Sequence, residues 1–123
     1  MAVRRALVLT FVCIATGCAA DSVDPRVTDS GGDARRGEAA IVRFGCGACH
    51  TIPGVRRANG LVGPPLNRFT GRSFIAGALP NEPNGLTRWI VDPQSVEPGT
   101  TMPVLGVSEP QARDMAAYLY TLR

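Results

Sequence analysis

Residues 46–50 read Cys46-Gly47-Ala48-Cys49-His50, and the reading of this stretch decides most of the rest. Two thiols separated by two residues, with an imidazole directly after the second, form the C-x-x-C-H pattern. In that pattern the cysteines add covalently to a haem and the histidine ligates its iron. Two other chemistries use closely spaced cysteines. A redox dithiol needs a surrounding strand and helix pattern of the βαβ kind, and Gly45, Gly47 and the helical periodicity on either side do not supply one. A structural zinc site needs about four protein ligands, whereas Cys46, Cys49 and His50 are the only plausible nitrogen or sulfur donors in the body of the chain. His50 is also the only histidine of the 123 residues. The pattern predicts one covalently held haem c, with the dithiol and metal readings as its alternatives.

Working outward to the front of the chain, Arg4 and Arg5 precede an apolar run from Ala6 to about Ala15. That run is too short to cross a bilayer core of about 30 Å, so residues 1–18 read as an export signal. It ends in Ala15-Thr16-Gly17-Cys18, which resembles the lipobox of bacterial lipoproteins and implies lipidation at Cys18. The alternative is ordinary signal cleavage near Ala19 or Ala20. Each of the four cysteines then has a fate: Cys13 leaves with the signal, Cys18 takes lipid, and Cys46 and Cys49 take haem. No structural disulfide is expected. Two acyl chains anchor stably where one binds only marginally, so the expectation is an exported bacterial protein held on a membrane and facing the periplasm or the outer face of the cell.

Residues 19–32 show no apolar periodicity and contain Asp21, Asp24, Pro25, Asp29, Gly31 and Gly32. They are expected to be a flexible tether that reaches roughly 45 Å when extended. Residues 33–123 then make one small domain, for which a buried macrocycle would add apolar surface. This block carries ten arginines against seven acidic residues, and the chain has no lysine. Such a mild basic excess does not argue for nucleic acid. Arg56 and Arg57, close after the haem motif, either steer docking on an acidic patch or are ordinary solvated loop charges.

The block reads as all-α. Asp33 can cap a helix running to about Phe44, with Gly37, Ile41 and Phe44 along one side. A second helix is expected between Asn84 and Asp92, where Leu86, Trp89 and Ile90 share a face and Pro93 forces an end. The last begins at Ser108, whose Ser-x-x-Gln pattern through Gln111 is a capping box, and carries the stripe Met115, Tyr118, Leu119 and Leu122. No convincing strand pair appears.

With these helices and the haem motif, Gly63-Pro64-Pro65-Leu66, Gly71-Arg72, Leu86-Thr87-Arg88-Trp89-Ile90 and Pro98-Gly99-Thr100-Thr101-Met102-Pro103 occur in a fixed order. In this order the chain resembles a class I cytochrome c over nearly all of residues 33–123. Leu79-Pro80-Asn81 and Trp89-Ile90-Val91-Asp92-Pro93-Gln94 make it most similar to the cytochrome c domain of caa3-type cytochrome c oxidase subunit II. The resemblance implies that the first and last helices cross at Gly37, that the Pro64 carbonyl accepts from the His50 imidazole, that Leu66 and Trp89 line the haem, and that Arg72 pairs with a propionate. It also implies Met102 as the sixth iron ligand. The composition points the same way, because one histidine and no lysine leave only Met102 and Met115, and Met115 lies on the packing stripe of the last helix.

The function so implied is single-electron transfer by a monohaem carrier with Met/His ligation, not catalysis, since no general acid, base or nucleophile constellation is visible. Its expected partners are redox proteins, with a cytochrome c oxidase or a dehydrogenase as candidates, and a membrane reached through Cys18. Two other classes remain open: a haem enzyme or gas sensor with an open sixth position, and an assembly lipoprotein that uses Cys46 and Cys49 as thiols.

Overall fold

The structure, a computed structural model, describes residues 22–123; the expected signal segment and Cys18 lie outside them. Helix α1 spans Pro25–Asp29, α2 Ala34–Arg43, α3 Pro83–Val91, α4 Pro93–Val96 and α5 Glu109–Leu119. The local signals for these elements act as chain chemistry requires. The Asp33 carboxylate accepts from the Arg36 amide at 2.9 Å to start α2. Pro83, Pro93 and Pro110 each occupy a first turn, where a missing N–H leaves no bond unmade. At α5 the Ser108 amide donates to Gln111 Oε1 at 3.0 Å, the reciprocal arm of a capping box.

Helices α2 and α5 cross at Gly37. A Cβ on Gly37 would stand 1.9 Å from the Asp114 carbonyl oxygen, so no larger residue fits at this approach. Around the crossing, Asp114 takes two bonds from the Arg36 guanidinium, at 2.8 and 2.9 Å, and one from the Asp33 amide at 2.7 Å. The Arg36 guanidinium holds the Asp114 carboxyl below its ordinary range. The core follows on the inner faces, with Ile41, Leu86, Ala112, Met115, Ala116 and Leu119 all buried. Helix α3 packs on α5 through this core and places Leu86 and Ile90 inside.

Besides the short helix α4, which starts at Pro93 where only a helix end was expected, two elements differ from the sequence reading. A hairpin of two-residue strands, β1 at Phe74–Ile75 and β2 at Leu79–Pro80, pairs antiparallel in the register Phe74 with Pro80 and Ile75 with Leu79. Strands this short carry no alternation to read. The second difference is larger. The described part of the expected tether is an ordered segment, with α1 inside it. The Asp24 side chain caps the Arg26 amide at 3.0 Å, and Ser30 is fully buried. Hydropathy gave no sign of it because it docks through hydrogen bonds, with Val27 as its main apolar contact. Among the described residues no helix is long and apolar enough to cross a membrane.

Candidate functional site

The haem motif is shaped by its glycines. Gly45 sits at φ 70, a left-handed conformation that a side chain would strain, and turns the chain out of α2 into a single tight turn over Cys46–Ala48. The amides of Cys49 and His50 both donate to the Cys46 carbonyl, at 3.3 and 3.0 Å. Gly47 and Gly60 let the following loop fold back onto the motif, joined by the Gly60 amide to the Gly47 carbonyl at 3.0 Å. A Cβ on Gly47 would lie 2.7 Å from Ala58.

The imidazole is fixed on two sides. His50 Nδ1 lies 2.8 Å from the Pro64 carbonyl oxygen. A carbonyl only accepts, so Nδ1 carries the proton and donates, which leaves the Nε2 lone pair for a metal. Gly63 lies flat against the ring: a Cβ there would stand 2.3 Å from Cε1, and its amide donates to the Cys49 carbonyl at 2.8 Å. Gly63 is a site residue that the sequence reading did not single out, although it stands in the quoted Gly-Pro-Pro-Leu run.

Cys46, Cys49, His50 and Met102 all border one cavity of about 510 Å³. Its wall is mainly apolar, with Ile41, Leu66, Leu86, Trp89, Ile90 and Leu119 among its residues. The volume falls within the range of about 300–1,000 Å³ usual for cofactor sites. Of the residues named from the sequence, Leu66, Trp89, Pro64 and Arg72 also line it. Arg72 donates to the Pro65 carbonyl and lies 5.4 Å from the Phe69 ring centre, so its guanidinium is held on the cavity wall with donors to spare. Met115 reaches the same cavity from α5, where it is 1% exposed. Met102 comes from a loop and is only partly buried.

The donor set fits a covalent haem c better than either alternative. Cys46 and Cys49 are free thiols on the rim of an apolar cavity. Burial pushes the Cys46 thiol above its ordinary range. Among the described residues no group of three or more His, Cys, Asp and Glu side chains comes together to hold a zinc ion. Cys46 and Cys49 are placed to carry the two thioether bonds, and His50 Nε2 to ligate the iron.

Asn81, in the sequence only one member of the Leu79-Pro80-Asn81 run, organises the far wall. It is 7% exposed, donates to the carbonyls of Phe69 and Arg72 at 3.0 Å each, and accepts from the Tyr120 hydroxyl at 3.1 Å. Phe69 packs edge-on against Tyr120 at 5.8 Å. Burial pushes the Tyr120 hydroxyl up to about 12.

A small helical domain with crossing terminal helices, closed around a cavity that presents C-x-x-C-H, is the architecture of a haem c protein. The sequence pattern of the Cytochrome c family matches residues 34–123, and the chain belongs to that family, as a class I cytochrome c. It is 35% identical over 91 residues to cytochrome c oxidase subunit 2 of Alkalihalophilus pseudofirmus, covering 73% of this chain and 26% of that subunit. It is 36% identical over 103 residues to the same subunit of a Bacillus species, covering 80% of this chain and 28% of the subunit. It thus spans about a quarter of the length of these relatives. To the cytochrome c of Guizotia abyssinica it is 33% identical over 101 residues, covering 72% of this chain and 88% of that protein. Members of the family bind covalent haem c and carry electrons, and Cys46 and Cys49 of this chain fit the haem-binding motif.

Proposed function

We propose that this chain is an exported, lipid-anchored monohaem electron carrier whose iron is held by His50 and Met102, working in a respiratory chain near a terminal oxidase. The observation that carries the reading is that His50 and Met102 border the same apolar cavity as both haem-motif thiols, in a chain with one histidine and no lysine. The likeness to oxidase subunit 2 supports the choice of partner. The Ala15-Thr16-Gly17-Cys18 run supports the lipid anchor.

Bound haem supplies a centre that takes up and releases one electron. The protein's own work is positional. Pro64 holds the imidazole in the tautomer that offers Nε2, and the aliphatic wall keeps water out. Met102 offers a soft thioether, which favours the reduced state and raises the potential. A carrier gains from two ligands that stay in place in both redox states, because little then moves when the electron does.

The ferric holoprotein is expected to show the weak red-edge band of sulfur bound to iron, and the reduced form to take up carbon monoxide slowly. Met102→Ala is expected to lose the band and bind carbon monoxide rapidly while keeping its haem. Wild-type protein with no such band and with rapid carbon monoxide uptake would instead be a haem enzyme or gas sensor. The anchor is read separately by intact mass, with acyl chains on Cys18 that Cys18→Ser removes.

A further inference from the structure

Residues 22–30 lie against the outside of the wall whose inner side borders the haem cavity through Phe69, Arg72 and Ile75. Arg26 is the centre of this contact. Its guanidinium donates to the Thr70 carbonyl at 2.8 Å and the Asn81 carbonyl at 3.2 Å. It grips the Asp24 carboxylate at 2.8 and 2.9 Å and sits 4.7 Å from the centre of the Tyr120 ring. The segment is also fastened at both ends. Arg123 donates to the Ser22 carbonyl, and Arg113 donates to the Ser30 carbonyl at 3.3 Å. Gly32 lies so close to α5 that a Cβ would stand 2.2 Å from the Arg113 carbonyl oxygen.

No residue of 22–32 lines the haem cavity, and a free leash would make none of these contacts. Guanidinium bonds to two carbonyls from separate loops require one geometry and hold it. We propose that residues 22–32 are a strap that fastens the domain to its own lipid anchor at close range, so that the Ser22 and Arg123 end of the molecule sits at the lipid surface and the haem is kept at a restricted height. The proposal deepens the anchored-carrier reading and rests on lipidation at Cys18.

The chain length gives the size of the effect. With the strap fastened, only Ala19, Ala20 and Asp21 separate Cys18 from Ser22, a span of at most about 14 Å whatever their conformation. Residues 19–32 as a free leash would reach roughly 45 Å. A domain on the short span keeps one end toward the bilayer and meets partners beside it in the same membrane. A domain on the long one would swing toward partners at many heights and angles.

Two measurements on the haem-loaded protein test this. In hydrogen exchange, the amides of Val27, Ser30 and Gly31, which donate to Asp24, Arg26 and Thr28, are expected to be protected. In Arg26→Ala they should exchange at least about tenfold faster. In vesicles carrying a headgroup dye, energy transfer from dye to haem should be strong for the lipidated full chain. It should fall both in Arg26→Ala and in a variant with about ten Gly and Ser residues inserted between Asp21 and Ser22, which leaves the strap itself intact. Exchange of those amides at unstructured rates in the wild type overturns the proposal. So does equal energy transfer from the wild type and the insertion variant. If intact mass finds no acyl chains on Cys18, the anchor reading fails and the proposal with it; protection that persists in that case places the fault in the anchor, not in the strap.

Discussion

On the His50 side of the cavity, the imidazole is bonded to Pro64 at 2.8 Å, pressed by Gly63 and followed by a loop stitched back onto Gly47. On the Met102 side, the loop has Gln94 as its principal fastening. Gln94 Nε2 donates to the carbonyls of Thr100 and Met102 at 2.8 and 3.2 Å, and its Oε1 accepts from the Gly99 amide at 3.3 Å. Beyond Met102 the loop is open, with Val104 54% exposed. One side is made rigid by short backbone contacts. The other is a surface loop held chiefly through one exposed side chain, and local opening begins where few buried contacts must break. If His50 and Met102 are the iron ligands, as proposed, the pair has a fixed member and a more easily displaced one.

The most severe way to break this contrast is Gly63→Val. The added carbons must displace the imidazole or the Gly63-Pro64 backbone, and the Pro64 bond goes with either. A loss of about 3 kcal/mol is expected, as for overpacking a dense site, with a fall of ten degrees or more in thermal midpoint, roughly. The ferric absorption spectrum should change as well. A variant of native stability and spectrum would mean that the His50 side is not rigid.

Gln94→Ala sharpens the contrast from the other side. Its bonds are exposed, so the expected cost is about 1 kcal/mol and is confined to the loop. The effect should appear as faster displacement of the sixth ligand by added imidazole or cyanide, with little change in the thermal midpoint. Equal displacement rates in the variant and the wild type would show that the loop is held by something other than Gln94.

The smallest effects come from pH, and they act on contacts around the cavity that do not line it. Asp24 and Asp114 have carboxyls lowered by Arg26 and Arg36 respectively. A lowered carboxyl stabilises the fold above the unfolded value of about 4 and loses that contribution as pH falls through the folded value. Tyr120 runs the opposite way. Raised from 10.0 to about 12 by burial, it stabilises the fold below its unfolded value and loses that contribution as pH rises through the window between the two. Thermal midpoints should thus decline at both extremes. Tyr120→Phe should flatten the alkaline limb relative to wild type; an unchanged limb would remove Tyr120 as its cause.

Much of the fold was legible in the chain. Asp33, Ser108 with Gln111, and the prolines at the helix starts are local signals, and the helices begin where those signals stand. Gly37 was readable as the crossing point through the family pattern. The ordered strap was not legible. Its acidic and glycine-containing composition is that of a linker, and its principal bonds join Arg26 to carbonyls 44 and 55 residues away. Arg72 was expected opposite a propionate; the structure places it on the cavity wall, bonded to the Pro65 carbonyl and over Phe69.

By itself the sequence determined the cofactor chemistry and where helices α2, α3 and α5 begin, to within a residue or so. Thiol spacing, an adjacent imidazole, caps and apolar periodicity all act within a few residues of chain, and side-chain identity records them. Tertiary structure alone decided the need for glycine at position 63, the hub at Asn81 and the docking of residues 22–32. Each of these depends on a backbone carbonyl or a close approach supplied by a distant segment. Every residue carries a carbonyl, so nothing in the sequence marks which one a distant donor will find.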